Sequence, residues 1–376
     1  MFRSAWWVLS CSWLVCVSVN TVSFGEDQEA FQPLFNGKDL SGWVLVNTPP
    51  QTWSVKDEML VCTGKPVGEI RTEKMYQNFI MEVEWRHMVP GGNAGIFIWA
   101  DDITSKGVPF HRSIEVQVLE NAYGQSQGHT THGDIFPIHG ATLKPLNGRG
   151  GGGRAFPTEE RSKPSPEWNH YRIECRDGAI SLAVNGKIVT QGSDASPRKG
   201  YICLESEGGV VHYRHLKIRE LPDSPVAEEY VAIANRGYRS VYTGLDLTGW
   251  NATTAGQSHW KANDWVLSYD GKVATPVDAV LTSPEKLSDH GFLFDIRPGK
   301  EFSHLRVCGV ALTAEALPVG SWHRIEGVVK GSQLAITIDG KPVAVNPAVV
   351  DQAPTLQLAP VGPADFANIY VRELTP

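Results

Sequence analysis

Apolar and polar residues alternate with a period of two along most of this chain, and helical periodicity is scarce. In the segment 80–86, Met81, Val83 and Trp85 alternate with charged neighbours, so they face one side of an extended strand. The segment 113–118 repeats this pattern. Many short runs of this kind, separated by Gly, Asn and Asp turns, predict an all-β protein built from antiparallel β-sandwiches.

The chain also repeats itself once. The matched segments are 34–43 with 241–250, 167–174 with 321–326, and 217–221 with 370–374. Each copy carries a hairpin signal, Asn185-Gly186 in the first and Asp339-Gly340 in the second, because both residue types tolerate the left-handed backbone of a type I′ turn. Two copies at so long a period predict duplicated domains rather than a solenoid.

A linker composition separates the two copies. Pro222 and Pro225 flank polar residues directly after the last strand of the first copy. We therefore predict a first domain at 30–221, a linker at 222–227 and a second domain at 228–376. The first copy carries a long stretch before its closing strands that the second lacks, so we expect the chemistry in that stretch.

The N-terminus reads as a secretory signal, residues 1–25. Arg3 precedes an apolar run at 5–22, and small residues at Ser23 and Gly25 stand before Glu26. This pattern predicts a secreted or periplasmic protein, with a retained membrane anchor as the alternative. No other apolar run approaches the length of a membrane span, so we expect no integral membrane segment after signal removal.

Charge and cysteine content exclude some functions. The net charge of −7 is spread without a long run of one sign, which gives no electrostatic footprint for nucleic acid. Four cysteines follow the signal, at positions 62, 175, 203 and 308, and they alternate with apolar neighbours. We expect buried free thiols, with one bridge in the first domain as the alternative. There is no CxxC pair and no zinc-ligand spacing.

Several motifs of the first copy resemble the 3-keto-disaccharide hydrolase family. They are the opening at 34–43, the Gly-Asn-Ala-Gly-Ile-Phe run at 92–97, and the segments 115–119, 167–169 and 200–208. The resemblance implies a concanavalin-like jelly roll, present in full in the first domain and degenerate in the second. It also implies a carbohydrate substrate that is oxidised at C3. Relatives often carry Gln where this chain has Glu205.

The reaction that the resemblance implies needs proton transfer. A carbonyl at C3 acidifies the C2 proton of the sugar, a base removes it, the C1 aglycone leaves, and water adds back. Such a site needs a base with a pKa near neutrality, a group that stabilises the enolate oxygen, and an acid for the leaving oxygen.

Glu115 and Gln117 are the first candidates for this chemistry because they point the same way from one strand. We expect Glu115 to act as acid/base or metal ligand and Gln117 to bind sugar hydroxyls; a solvated sheet face is the alternative. His132 and Asp134, on a loop of the first copy, could supply the base or electrophile, or hold a divalent cation. His129 and His139 are weaker candidates, and an ordinary loop position is the alternative for each of these His.

Further residues are candidates for substrate binding. Glu84 and Arg86 share a face with Glu82 that could continue the surface of Glu115, although a charge ladder is the alternative. Asn93, Phe97 and Trp99 share a face by alternation, so Trp99 could stack on a sugar ring or pack in the core. The remaining candidates are Trp168 for stacking, and Arg71 and Glu205 as rim contacts.

Three functions compete at this point. The first is a secreted hydrolase or lyase acting on 3-keto-glycosides; the others are a non-catalytic carbohydrate-binding module and an envelope interaction protein. Fold alone cannot separate them, because this sandwich hosts both enzymes and lectins. The enzyme is favoured because His, Asp and Glu are concentrated in one copy and missing from the other. No cofactor is certain, and a divalent metal is the one candidate.

Overall fold

The structure is a computed structural model, and it is nearly all β, as predicted. The described residues are 30–123, 132–147, 153–234, 236–283, 289–331, 333–345 and 355–374. The predicted signal segment 1–25 and His129 lie outside them. In the described part of the chain, no helix combines the length and the hydropathy needed to cross a membrane.

The first domain contains fifteen strands. They are β1 Gln32–Pro33, β2 Trp43–Val46, β3 Trp53–Lys56, β4 Met59–Cys62, β5 Gly68–Thr72, β6 Phe79–His87, β7 Gly95–Ala100, β8 Ser113–Gln117, β9 Ile135–Ile138, β10 Thr142–Pro145, β11 Asn169–Arg176, β12 Ala179–Val184, β13 Lys187–Ser196, β14 Tyr201–Ser206 and β15 Val211–Glu220. Short 3-10 helices at Pro50–Thr52 and Glu228–Tyr230 add one turn each.

The second domain contains twelve strands in its described residues. They are β16 Arg239–Ser240, β17 Trp260–Asn263, β18 Val266–Tyr269, β19 Leu281–Thr282, β20 His290–Pro298, β21 His304–Val307, β22 Val310–Thr313, β23 His323–Lys330, β24 Gln333–Ile338, β25 Lys341–Pro342, β26 Gln357–Val361 and β27 Ala364–Glu373. One α-helix, α1 Thr254–Gln257, and a 3-10 helix, Pro276–Ala279, connect them.

Each domain is a sandwich of a large and a small antiparallel sheet. In the first domain the large sheet runs β10-β13-β12-β11-β6-β15-β4-β3 with β1 beside β15, and the small sheet runs β2-β5-β14-β7-β8-β9. The core lies between them, where Trp85 of β6 and Ile114 of β8 pack in one apolar cluster. Burial of these faces supplies the main stabilising free energy, about 25 cal/mol per Å² of apolar surface. The predicted pair of tandem β-sandwiches is confirmed.

The second domain repeats the strand order of the first. Its large sheet runs β17-β18-β27-β20-β23-β24-β25, which matches β3-β4-β15-β6-β11-β12-β13. Its small sheet, β19-β26-β21-β22, also has strands in the places of β7 and β8. The described residues of the second copy thus keep short strands at these places, but without the Gly-Asn-Ala-Gly run before β7 and the polar side chains of β8. That this domain is a degenerate member of the same family stays a prediction.

Two local predictions are confirmed. Asn185 and Gly186 have φ of 48° and 87°, and Asp339 and Gly340 have 49° and 75°, as type I′ turns require. The four described cysteines are free and buried.

The connection between the domains stays on the first domain well beyond the predicted linker. Ile233 donates its backbone N–H to Asp101 Oδ1 over 2.8 Å, and Arg236 Nη2 donates to Asp102 Oδ1 over 2.7 Å. The strands of the second domain begin only at β16. Residues 222–227 thus form just the start of an ordered connection.

The domains also meet directly. A loop of the first domain, residues 104–108, lies on the outer face of the large sheet of the second, where Gly107 donates its N–H to Asp295 over 2.8 Å. A Cβ at Gly107 would lie 2.4 Å from the Trp322 ring, so only glycine fits there. Asn47 donates to Asn368 over 3.0 Å. These buried polar contacts hold the two domains in one arrangement.

Candidate functional site

Three carboxyl groups meet on the outer face of the small sheet of the first domain. Alternation along β8 turns Ile114 and Val116 into the core and Glu115 to the opposite face. Glu205 of β14 reaches the same place from the other side of Gly95. A Cβ at Gly95 would lie 2.9 Å from Glu115 Oε1 and 3.1 Å from Glu205 Oε2, so the missing side chain makes room for both carboxyls.

Glu207 is the third carboxyl, and amides hold it in place. Asn93 Nδ2 donates to Glu207 Oε2, and Gln117 Nε2 donates to Asn93 Oδ1 over 3.0 Å. Glu205 hydrogen-bonds the Glu207 carboxyl in turn. Asn93 therefore fixes the cluster, and both predicted amides, Asn93 and Gln117, lie beside the predicted carboxyls Glu115 and Glu205.

Burial raises the pKa of all three carboxyls. Removal from water, followed by repulsion from Glu207, raises the pKa of Glu115 to about 8, while the charge of Arg154 opposes the shift. Burial also raises the pKa of Glu205 well above its usual value, and the negative charge of Glu115 adds to this. The hydrogen bond between Glu205 and Glu207 raises the pKa of the first and lowers that of the second, so Glu205 is the donor.

One oxygen of the cluster is left for a ligand. Glu205 Oε2 is buried and has no hydrogen-bond partner among the described residues. A buried oxygen without a partner is costly unless something binds to it. The cluster can thus transfer a proton at Glu115 and accept a hydrogen bond at Glu205, and its oxygens could also ligate a cation.

The two predicted loop residues, Asp134 and His132, have different surroundings in the structure. Asp134 is fully buried, and Arg154 Nη1 donates to its Oδ2 over 3.1 Å. The charge of Asp134 acts on Glu115, so this residue belongs to the surroundings of the cluster. His132 instead responds to the charges of Glu160 and Glu120, and burial lowers its pKa.

His139 lies beside the outer face of the small sheet, where the charges of Glu69 and His111 act on it. Its ring stacks on Phe110 with centroids 6.3 Å apart, and burial lowers its pKa. The predicted rim residue Arg71 lies on β5, where its guanidinium stacks on the Tyr201 ring at 4.5 Å and its Nη1 donates to the carbonyl of Thr72. Arg71 therefore shares the outer face of the small sheet with Glu205.

Four residues on or beside this face were not predicted from the sequence: Glu69, His111, Cys203 and Glu207. Alternation could have found Glu69, which is two residues from Arg71 on β5, and Cys203, which is two residues from Glu205 on β14. His111 precedes β8 in a loop, and its position depends on tertiary packing that no local pattern indicates.

Glu84 and Arg86 are not part of the candidate site. They lie on β6, which belongs to the large sheet, and their side chains point away from the core to its outer surface. Arg214 Nε donates to Glu84 Oε2 over 2.6 Å, and the Arg86 guanidinium stacks on Trp168 at 4.4 Å. The prediction that this face continues the surface of Glu115 is wrong, because the two strands lie in different sheets. Trp168 is distant from the cluster for the same reason.

Trp99 does not share the face of Phe97, contrary to the alternation along β7. Its φ is 57°, and the pairing of β7 with β14 shifts register there, as in a β-bulge. The extra residue turns the indole into the core, where it is fully buried and its Nε1 donates to the carbonyl of Gln77 over 2.9 Å. The prediction that Trp99 stacks on a sugar is therefore wrong.

This placement predicts that Trp99→Ala is a stability mutation. Removing a buried indole leaves a cavity and costs about 3–5 kcal/mol of unfolding free energy. Urea unfolding of the purified protein measures this loss. Trp168→Ala is the matched control, because its ring lies between two guanidiniums on the outer surface, and we expect a loss of only about 1 kcal/mol. Equal losses in the two variants would contradict the core position of Trp99.

Comparisons with known proteins identify several similar chains. A protein of Bacteroides thetaiotaomicron described as a 3-keto-disaccharide hydrolase is 24% identical over 193 residues, which cover 47% of this chain. The match spans 63% of the length of that relative. Two solved structures from Parabacteroides distasonis, provisionally assigned as glycosyl hydrolases, are 23% and 26% identical, with TM-scores of 0.41 and 0.39. Each covers 51% of this chain, and the matches span 94% and 100% of those structures.

The family model gives the decisive match. It is described as the 3-keto-alpha-glucoside-1,2-lyase-like domain, and it aligns with residues 30–219. That range starts just before β1 and ends within β15, so it includes the carboxyl cluster and both sheets of the first domain. With about half of its length matched, this chain belongs to the family of 3-keto-alpha-glucoside-1,2-lyase-like domains.

Proposed function

We propose that this protein cleaves the glycosidic bond of 3-keto-glycosides by elimination followed by hydration, in the first domain. The observation that carries the proposal is the pair formed by Glu115, whose pKa is raised to about 8, and the unpartnered Oε2 of Glu205. A general acid/base works best with a pKa near the working pH, and ordinary carboxyl groups lie far below it. Family membership supports the same reaction class.

Each group has a part in this reaction. Ionised Glu115 removes the C2 proton of the oxidised sugar, the electrons form the enolate, and the C1 aglycone leaves. The leaving oxygen takes the proton from Glu115, which is thereby ionised again. Water then adds across the double bond, with its proton at C2 and its hydroxyl at C1. Glu205 Oε2 accepts a hydrogen bond from a sugar hydroxyl. Gln117 and Asn93 hold the carboxyls in position rather than contact the reacting atoms.

Participation of a divalent cation in this reaction is tested separately. Three neighbouring carboxyls, those of Glu115, Glu205 and Glu207, could bind a hard cation after losing their protons, and the cation would then stabilise the enolate oxygen. Chelation by EDTA separates the two versions. Loss of activity that added Mg²⁺ restores would support a cation bound by the carboxyls, because Mg²⁺ takes oxygen ligands, whereas unchanged activity would assign the chemistry to the side chains alone.

The decisive experiment follows the C2 proton. The protein from residue 26 onward is incubated in deuterated water with a 3-keto-glucoside and, separately, with the unoxidised parent glucoside. We expect release of the aglycone from the oxidised substrate only, with deuterium at C2 of the sugar product. Cleavage of the parent glucoside without deuterium would overturn the mechanism. Binding of glycans without any cleavage would support a carbohydrate-binding module instead.

The signal-like N-terminus places this activity outside the cytoplasm in our proposal. Residues 1–25 carry the pattern of an export signal, and four free thiols remain buried after it. Cell fractionation that finds the protein in the cytoplasm would contradict this location.

The raised pKa of Glu115 predicts a pH dependence of both rate and stability. The base must be ionised, so kcat should rise with pH through an inflection near 8. The folded state keeps a proton on Glu115 up to that pH, whereas the unfolded chain loses it near its usual value. Unfolding free energy should therefore fall as pH rises between about 5 and 8. Thermal melts over this range should show a smaller fall in Glu115→Gln; an unchanged slope would contradict the shift.

A further inference from the structure

A second polar cluster lies beside the three carboxyls on the same sheet, and the proposed reaction assigns it no step. Glu69 of β5 and Cys203 of β14 stand on neighbouring strands, and His111 approaches them from the loop before β8. His111 Nδ1 is 2.6 Å from Glu69 Oε2 and 3.8 Å from Cys203 Sγ. One ligand atom from each residue lies within 4.8 Å of the others, and all three side chains are fully buried.

We propose that this Glu69–His111–Cys203 cluster binds a divalent transition-metal ion of the zinc type. A thiolate, an imidazole and a carboxylate are the ligands that Zn²⁺ takes together, whereas Ca²⁺ and Mg²⁺ take oxygen ligands alone. Three protein ligands leave one position of a tetrahedron for water or another small ligand. The inference goes beyond the proposed reaction and does not depend on it.

The proton balance of binding is simple. In the metal-free protein, the short distance from His111 Nδ1 to Glu69 Oε2 requires the imidazole to donate its proton to the carboxylate. The metal ion replaces that proton, which moves to His111 Nε2, and the Cys203 thiol releases its own proton to solvent. His111 Nε2 is buried and has no hydrogen-bond partner among the described residues, so it is free of competing bonds in either state. The imidazole keeps its proton, so binding of one ion releases one proton, that of the thiol, to solvent.

The cluster also makes hydrogen bonds of its own. Glu69 already accepts two bonds from His111, one from the backbone N–H at 3.1 Å and one from Nδ1. These bonds satisfy Glu69 but leave His111 Nε2 without a partner in the interior. A buried polar atom that makes no bond costs about 1–3 kcal/mol. Ligation at Nδ1 leaves this cost unchanged, so the case for the site rests on the positions of the three ligand atoms, which lie within 4.8 Å of one another.

Titration of the metal-stripped protein with Co²⁺ tests the site by its spectrum. We expect one ion per chain, with visible bands of a low-symmetry cobalt site and a near-ultraviolet charge-transfer band from the thiolate. Zn²⁺ should displace the cobalt and remove both. Cys203→Ala should abolish the charge-transfer band and weaken binding at least about 100-fold. Cys175→Ala, at a free thiol in the core, is the matched control and should retain the wild-type spectrum.

A second variant guards against loss of folding. His111→Asn keeps a donor for Glu69 but is a poor ligand, so it should fold and still bind cobalt at least about 100-fold more weakly. Absence of the charge-transfer band in the wild type would overturn the proposal. So would a band that persists in Cys203→Ala, or cobalt affinity unchanged in a folded His111→Asn protein.

Discussion

Glu115→Gln is expected to lower kcat for aglycone release by about 10²–10⁴, with little change in fold. The amide keeps the size of the side chain and its place beside Gly95, but it cannot accept the C2 proton. It also removes a carboxyl whose pKa is raised by burial and by the charge of Glu207. The variant should therefore be at least as stable as the wild type near pH 7. Steady-state kinetics on a 3-keto-glucoside, combined with thermal melts, measure both effects.

Two further variants serve as controls for Glu115→Gln. Glu205→Gln should cost much less, under about tenfold, because a protonated carboxyl and an amide present the same donor and acceptor to Glu207 and to a ligand. Glu82→Gln tests the charge alone, because Glu82 lies on the outer face of the large sheet with Arg172 and Lys217. Its kcat should equal that of the wild type. Loss of activity in Glu82→Gln, or full activity in Glu115→Gln, would move the chemistry to other residues.

The period-two pattern predicts which face of a strand a residue occupies, but not the sheet to which the strand belongs. It correctly separates Glu115 from Ile114 and Val116 on β8. The same reasoning correctly puts Glu84 and Arg86 on one face of β6. It fails to place that face relative to Glu115, because sheet membership depends on pairing between strands far apart in the sequence.

Alternation also fails where the backbone leaves the regular strand. The left-handed φ of Trp99 is unusual for a bulky residue, and nothing in the local sequence indicates it. The bulge reverses the direction of the Trp99 side chain, so the indole that was predicted to stack on a sugar packs in the core instead. His111 shows a different limit, since a loop residue enters the sheet surface only through its bonds to Glu69. Family motifs pointed to the correct strands, yet the partners of Glu115 became visible only when the strands were paired.

The duplication could be read from the sequence, but the way in which its two halves join could not. The second domain uses the outer face of its large sheet to hold the loop 104–108 of the first. Glu84 of β6 and Asp295 of β20 occupy corresponding places in the two large sheets. Glu84 pairs with His170 in the first domain, and Asp295 pairs with Arg324 in the second. Duplicated strands have thus diverged into a charged surface in one domain and an interface in the other.

Asp295→Ala is expected to be strongly destabilising, because Asp295 is the central acceptor of that interface. It is fully buried and accepts hydrogen bonds from Arg324 at 2.8 Å, from Asn368 at 2.7 Å and from the backbone of Gly107. Its removal leaves the buried charge of Arg324 uncompensated, which costs about 3–5 kcal/mol. Urea unfolding should show this loss, and proteolysis should become faster in the connection at 221–238.

Asp365→Ala is the matched control, because it removes a carboxylate of the same sheet that lies outside the interface. Asp365 accepts from Arg297 over 2.8 Å on the same sheet, but the pair is partly exposed, so Asp365→Ala should cost less than about 1 kcal/mol. Gly107→Ala attacks the interface without removing charge, because its Cβ would meet the Trp322 ring. It should share the faster proteolysis of Asp295→Ala. If Asp295→Ala and Asp365→Ala lose equal stability while Gly107→Ala behaves as the wild type, the interface does not hold the domains together.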